Sequence, residues 1–320
     1  MDTCRICGST QSHPTYNPKE VLLGTQETFE YFKCRQCGCL QISTIPEDLS
    51  RYYPEHYPSF KNYQRLVNNR IRNFLDRKRV QHSFNDKNFF GWLGRYLARP
   101  LNYLEWMKTA SCQPQDKILD VGCGNGQLLL RMKLGGIEHC TGIDPFVSAE
   151  INYPNGLKIH KQSISEFSST VEEKFKLIMF NHSLEHMTDL DETISAATKI
   201  LRPDGTILIR IPVIDSLAWE MYQENWFNLD APRHIYLMNK KSLRILLQRF
   251  GLKLFETRYE SHPTQFVWSE MCQRGYTMGG GAKPATVLGS RKIAEFKALA
   301  DKVKDDGSSD CAAFFAKFGT

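Results

Sequence analysis

The sequence predicts an α/β protein with a mostly parallel sheet covered by helices on both faces, preceded by a small cysteine-rich module. Three observations carry this. The run Ile118-Leu119-Asp120-Val121 leads into Gly122-Cys123-Gly124-Asn125-Gly126, then Leu128-Leu129-Leu130, which reads as strand, tight turn and helix. Short aliphatic strands alternate with helical patterns from Gln115 onward, which implies right-handed parallel crossovers. Cys4-Arg5-Ile6-Cys7-Gly8 is echoed by Cys34-Arg35-Gln36-Cys37-Gly38.

The chain has 320 residues, ten of them cysteine, and composition bounds the rest of the reading. With 24% charged and 41% hydrophobic residues it has ordinary globular usage, and the length suggests about two domains. No apolar run approaches the roughly 20 residues that span a bilayer, and the N-terminus lacks a basic region followed by an apolar one, so a cytoplasmic protein is expected. Cysteines in that compartment read as metal ligands, core residues or thiols rather than disulfides. The net charge of +6 is concentrated: residues 51–100 carry eleven Lys and Arg against Glu55, Asp76 and Asp86.

In chain order, the two Cys-x-x-Cys-Gly turns make Cys4, Cys7, Cys34 and Cys37 the expected ligands of a structural Zn2+ within a zinc ribbon over residues 1–50. Four sulfurs leave no open position, so such a metal holds the fold. Glu27 to Lys33 alternates as a strand, and Cys39 is a bystander. Residues 51–110 form a basic, aromatic linker and helical lid, with a helix from Tyr63 to Val80 bearing Leu66, Ile71, Phe74 and Leu75 as its apolar stripe. Its basic face has three readings: a solvated surface, a surface for anionic substrates, or RNA docking. No RNA-binding module surrounds it, which argues against nucleic acid.

Residues 111–320 form the α/β domain. Strands are expected at Lys117–Val121, His139–Ile143, Leu157–His160, Phe175–Phe180, Thr206–Ile211 and Leu252–Arg258, with a last one over residues 311–318. Thr188 and Asp189 can cap a helix ended by Pro203-Asp204-Gly205, and Asn239 can cap another that Gly251 ends. Gly279-Gly280-Gly281 is a loop to which no chemistry is assigned.

Ligands of such sheets sit beyond the carboxyl ends of the strands. Gly-x-Gly-x-Gly differs from the dinucleotide fingerprint, and Asp144, 24 residues after Asp120, can take two ribose hydroxyls. Leu119 to Gly126 followed by Gly142-Ile143-Asp144 resembles the class I S-adenosylmethionine-dependent methyltransferases, and Ser183-Leu184-Glu185-His186 resembles their small-molecule members. The resemblance implies a Rossmann-like sheet of seven strands, the last inserted antiparallel between strands five and six. It implies S-adenosyl-L-methionine as cofactor, held by Asp120, Gly122, Cys123, Gly124, Gly126, Asp144, Pro145, Ser163, Ile164 and Asn181. Ser163 stands where the family often has an aspartate.

Asp230-Ala231-Pro232-Arg233-His234 is familiar among relatives with an N-terminal zinc ribbon. A hydroxyl or carbon-acid acceptor must lose a proton, and histidine suits that role, so His182 and His234 are the candidate catalytic residues. Arg233 is expected to bind an anionic group. Glu185 and His186 are expected to contact substrate, with a divalent ion between them as one possibility. The resemblance implies methyl transfer to an oxygen or carbon of a small, anionic molecule, with sugar nucleotides or glycan and lipid precursors favoured. RNA or protein methylation, docked on residues 51–100, and a non-catalytic cofactor-binding module are the alternatives.

Overall fold

The computed structural model describes residues 3–53, 69–84, 92 and 101–319. Its centre is an eight-stranded sheet built from β4 (Lys117–Val121), β5 (His139–Ile143), β6 (Ile151–Asn152), β7 (Lys158–His160), β8 (Phe175–Asn181), β9 (Leu201–Pro212), β11 (Leu252–Glu260) and β12 (Cys311–Phe318). The order is β11-β12-β9-β8-β4-β5-β7-β6. β4 pairs in parallel with β5 and β8, β8 with β9, and β5 with β7. The last strand, β12, runs antiparallel between β9 and β11, as the resemblance implies. β6 adds a short antiparallel edge that has too few residues to show a period in the sequence.

Successive strand side chains fall into two cores, one on each face. Leu119, Val121, Ile178 and Phe180 join one; Ile118, Leu177 and Met179 join the other. This is the period of two that a pleated strand imposes, and because both faces are covered β8 is apolar from Leu177 to Phe180. Helices α4 (Ile164–Thr170), α5 (Leu190–Ile200) and α7 (Lys240–Gln248) pack on the first face. Helices α1 (Arg70–Phe84), α2 (Asn102–Thr109) and α3 (Gln127–Leu134) pack on the second. Caps fix the ends of two of them. The Asp189 carboxylate accepts from the Glu192 amide, and Asn239 forms a capping box with Ser242. Helix α6 (Leu217–Tyr222) follows β9, and α8 (Thr264–Gln273) and α9 (Pro284–Asp306) lie between β11 and β12.

The N-terminal module contributes β1 (Thr15–Tyr16), β2 (Tyr31–Lys33) and β3 (Leu40–Ile42). Its sheet is not self-contained. The fourth strand, β10 (Tyr236–Leu237), comes from the α/β domain and pairs antiparallel with β3.

The expected lid divides. Residues 54–68 and most of 85–100 lie outside the described residues, so Leu66 does too. Of the expected stripe, Ile71 and Phe74 are exposed at 78% and 51%, and α1 buries Arg79 and Val80 instead. The helix is rotated because Val80 and Phe84 dock beside α3 and the loops that precede β4 and β5. That places α1 at the amino ends of the strands, away from their carboxyl ends. Helix α2 lies nearer those ends, with Asn102, Glu105 and Trp106 lining a cavity there.

Candidate functional site

The glycine turn follows β4 with positive φ at Gly122, Gly124 and Gly126. A Cβ on Gly122 would lie 2.5 Å from Ser183 Cβ, and one on Gly126 2.5 Å from Ile159 Cδ1, so neither space nor dihedral admits a side chain. Asp144, at the end of β5, closes the turn: Oδ2 accepts from the Gly124 amide and Oδ1 from the Phe146 amide, each at 2.8 Å. Burial raises its pKa despite those two donors. Asp120 lies beneath, 2% exposed, with Oδ1 lacking any hydrogen-bond partner. Burial, helped by Asp144, lifts its pKa to about 8. A buried acceptor without a donor among the described residues, beside a turn that excludes Cβ atoms, suits a polar, closely approaching ligand. The residues therefore fit the S-adenosylmethionine that the sequence implies.

A cavity of about 360 Å³ opens over this turn. Of the expected residues, it brings together Gly122, Asp144, Pro145, His182, Glu185, His186 and His234. Cys123, Gly124 and Gly126 stay within the turn. His182 has a left-handed backbone, φ +53°, an uncommon state for a non-glycine residue, and this lets its ring project past the end of β8.

Glu185 is fully buried, and neither carboxylate oxygen meets a donor at hydrogen-bond distance. The imidazole nitrogens facing it are His182 Nδ1 at 3.7 Å and His234 Nε2 at 3.9 Å. Burial opposes its ionisation, but the surrounding imidazoles, His182 foremost, hold its pKa below the ordinary value. His186 Nδ1 lies 2.9 Å from the Arg233 carbonyl and His234 Nδ1 2.7 Å from the Asn228 carbonyl. Carbonyls only accept, so both Nδ1 atoms carry hydrogen, and in the neutral ring the lone pair lies on Nε2. Burial lowers the His186 pKa to about 4, with His234 adding to it. Ligand atoms of Glu185, His186 and His234 lie within 4.8 Å of one another, a set that could hold a divalent ion.

Three expectations are corrected. Arg233 binds no external anion: it is fully buried, with Nη2 2.9 Å from Glu20 Oε1 and Nε 3.0 Å from Asp230 Oδ2. Two carboxylates spend its charge, and Arg233 in turn holds the Asp230 pKa down against burial. Ser163 is the N-cap of α4 in a capping box with Glu166, so its hydroxyl serves the helix, and Ile164 is buried as the first helical residue. The Asn181 side-chain oxygen accepts from the Arg210 guanidinium, which also binds Glu260. None of Ser163, Ile164 and Asn181 lines the 360 Å³ cavity.

Other lining residues escaped the sequence reading. Phe146 follows Asp144 directly and Tyr53 stacks on it at 5.4 Å; an aromatic beside the acidic strand end was a readable signal. Leu22 and Met278 reach the cavity from distant loops, and nothing local marks them. The Gly279 region is no free loop, since the Met278 amide bonds the Val21 carbonyl of the N-terminal module.

The cysteines form the second centre. Cys4 and Cys37 Sγ atoms lie 3.6 Å apart, and those of Cys7 and Cys34 3.5 Å. A tetrahedron with ~2.3 Å zinc–sulfur bonds has edges of about 3.8 Å, so the four sulfurs fit zinc. Both knuckles repeat one hydrogen-bond pattern. The Gly8 and Gly38 amides bond the Cys4 and Cys34 carbonyls at 2.8 Å, and the Cys4 and Cys34 amides bond the Ser9 and Cys39 carbonyls at 2.9 Å. The module also grips the site: Tyr31 Oη donates to the His234 carbonyl at 2.8 Å.

Comparison with known proteins agrees with this geometry. The chain is 30% identical over 111 residues to the ubiquinone biosynthesis O-methyltransferase of Aromatoleum aromaticum, covering 32% of this chain and 47% of that protein. It is 29% identical over 143 residues to the enzyme of the same name from Haemophilus ducreyi, covering 41% and 60%. The chain thus spans about half the length of the curated relatives it matches. Among solved structures, an S-adenosylmethionine-dependent methyltransferase from Archaeoglobus fulgidus aligns at 17% identity and TM-score 0.42, covering 84% of this chain and 100% of that one. The methyltransferase-domain family matches residues 61–257, more than half of the chain. With that match, the glycine turn and the strand order, the chain belongs to the class I S-adenosylmethionine-dependent methyltransferases.

Proposed function

We propose that the protein transfers a methyl group from S-adenosylmethionine to an oxygen or carbon of a small molecule, favouring a sugar nucleotide or a glycan or lipid precursor. The observation that carries this reading is the Gly122–Gly126 turn, closed by Asp144, at the mouth of a cavity whose far wall is His182, Glu185, His186 and His234. The O-methyltransferase names of the relatives support an oxygen acceptor.

Bound S-adenosylmethionine supplies an electrophilic methyl on sulfur and leaves as a neutral thioether. The chain's own residues do the rest. Asp144 accepts from ribose hydroxyls while its remaining lone pairs hold the turn. Leu22, Phe146, Met187 and Met278 exclude water from the cavity, and alignment in a dry site lowers the barrier by several kcal/mol. His182 takes the acceptor's proton, because it faces both this cavity and a second one beside it. His234, whose Nδ1 donates to the Asn228 carbonyl, is the second candidate. A divalent ion held by Glu185, His186 and His234 would add positive charge where an acceptor oxygen becomes anionic. Structural zinc on the four cysteines holds the ribbon, and the division into residues 1–50, 51–110 and 111–320 remains our reading of the domains.

Calorimetric titration with S-adenosylmethionine and S-adenosylhomocysteine tests the reading. One saturable site, weakened at least tenfold in Asp144→Asn, is expected. A folded protein that binds neither compound would overturn it.

A further inference from the structure

A second cavity, about 540 Å³, lies beyond His182 between the carboxyl ends of β9 and β11, the start of β12 and the helices α2 and α8. It shares His182, Phe227 and Asn228 with the first cavity, so a ligand in each would meet at those three residues. Its polar walls are asymmetric. Asp310 is 2% exposed, and its Oδ2 accepts from Trp226 Nε1 at 3.1 Å and Asn228 Nδ2 at 2.7 Å. No donor bonds its Oδ1 among the described residues. Gln265, also 2% exposed, has a buried Oε1 without a partner. This wall thus offers Gln265 Oε1, a buried acceptor without a donor among the described residues, beside the Asp310 carboxylate, whose Oδ1 can accept a further hydrogen bond. Nearer solvent stand Arg258, whose carboxylate contacts are no closer than 3.5 Å, and Lys304, which has no ion-pair partner among the described residues. Arg210 is different, with its guanidinium held by Glu260 and Asn181 over the Trp106 ring.

We propose that this second cavity is the acceptor site, that Asp310 and Gln265 receive hydroxyl groups of the acceptor, and that Lys304 and Arg258 receive an anionic group at its other end. The inference rests on the first cavity being the cofactor site and adds the acceptor's chemistry: at least two hydroxyls plus a phosphate or carboxylate. An unpaired buried acceptor rejects a ligand lacking the matching donor far more strongly than an apolar wall does. Burial lifts the Asp310 pKa to about 6, so the carboxylate is still mainly ionised at neutral pH, where it binds a hydroxyl with charge assistance. Asp310 and His234 are also joined through one residue, since Asn228 donates to the first by its side chain and accepts from the second by its carbonyl.

Sugar phosphates and catechol acids both carry this chemistry, and binding separates them. The metal-replete protein saturated with S-adenosylhomocysteine is titrated with glucose 1-phosphate, 3,4-dihydroxybenzoate, inorganic phosphate and benzoate. One of the first two should bind, with its hydroxyl-free counterpart, inorganic phosphate or benzoate, at least about tenfold weaker. Asp310→Asn should weaken that binding about tenfold, and Lys304→Ala about threefold with reduced dependence on salt. Gln265→Leu serves as an independent variant should Asp310→Asn fail to fold, with a similar loss expected. Equal binding by wild type and folded variants overturns the proposal, as does equal binding of the hydroxyl-free controls or no binding by any probe. Failure of S-adenosylhomocysteine itself to bind would instead overturn the cofactor reading beneath it.

Discussion

Two clusters of potential ligands, the four cysteines and the Glu185, His186 and His234 set, differ in how far their polar groups are already satisfied. The four cysteines are closed. Their knuckles are tied by matching backbone hydrogen bonds, and Gln41 Nε2 donates to Cys4 Sγ at 3.1 Å. Glu185, His186 and His234 line a cavity, and the Glu185 carboxylate has no hydrogen-bond partner among the described residues. Closed coordination suits a structural ion, whereas an open position suits a ligand that must come and go. The lesson is that unsatisfied polarity, more than the number of ligands, marks the working centre.

The largest test strips the closed cluster. Structural zinc contributes on the order of 10 kcal/mol to small metal modules, so prolonged chelation should unfold the ribbon, read as lost ellipticity and a lowered thermal midpoint. Because Tyr31 and Glu20 of the ribbon hold the His234 segment, methyl transfer should vanish with it. Retained activity in zinc-free protein would break the link between the two clusters. Next comes the ion pair between them. Arg233→Met leaves Glu20 and Asp230 buried without their cation and should destabilise by about 3–5 kcal/mol in chemical denaturation.

Within the open cluster, His182→Ala should lower kcat about a hundredfold while S-adenosylhomocysteine affinity stays near wild type. An unchanged kcat would shift the base to His234. A further test, spread over several pH units, concerns the cost of keeping such a site. Asp120 has a folded pKa of about 8 against 3.8, so its stabilising contribution is complete below pH ~4 and is lost as pH rises to about 8. Apo-protein stability should therefore fall by up to ~1.4 kcal/mol per pH unit across that window, and Asp120→Asn should flatten the slope. An unaltered slope would show that Asp120 is not the group responsible.

Sequence made much of the scaffold legible, for local reasons. β4, β5 and β12 have the expected bounds because each is a short apolar run between turn residues. Asp189 and Asn239 were readable as caps because capping is a contact across three residues. What escaped depends on partners far along the chain. Arg233 looks like any loop arginine until Glu20 is seen against it. The α1 stripe was placed on Ile71 and Phe74 because periodicity fixes the spacing of a face, while tertiary docking on α3 chooses which face is buried. Of the site, the glycine turn, Asp144 and the histidines were legible as motifs. Asp310 was not, since a single aspartate before a strand has no pattern around it.

The pairing of β3 with β10 carries a consequence for biosynthesis. Gln41 lies opposite Tyr236, so the ribbon's sheet closes through a contact spanning nearly two hundred residues. During synthesis the four clustered cysteines emerge nearly two hundred residues before the strand that completes their sheet. Grafting residues 1–50 onto another enzyme would therefore transplant an unfinished sheet with an open edge, the arrangement that invites pairing between molecules.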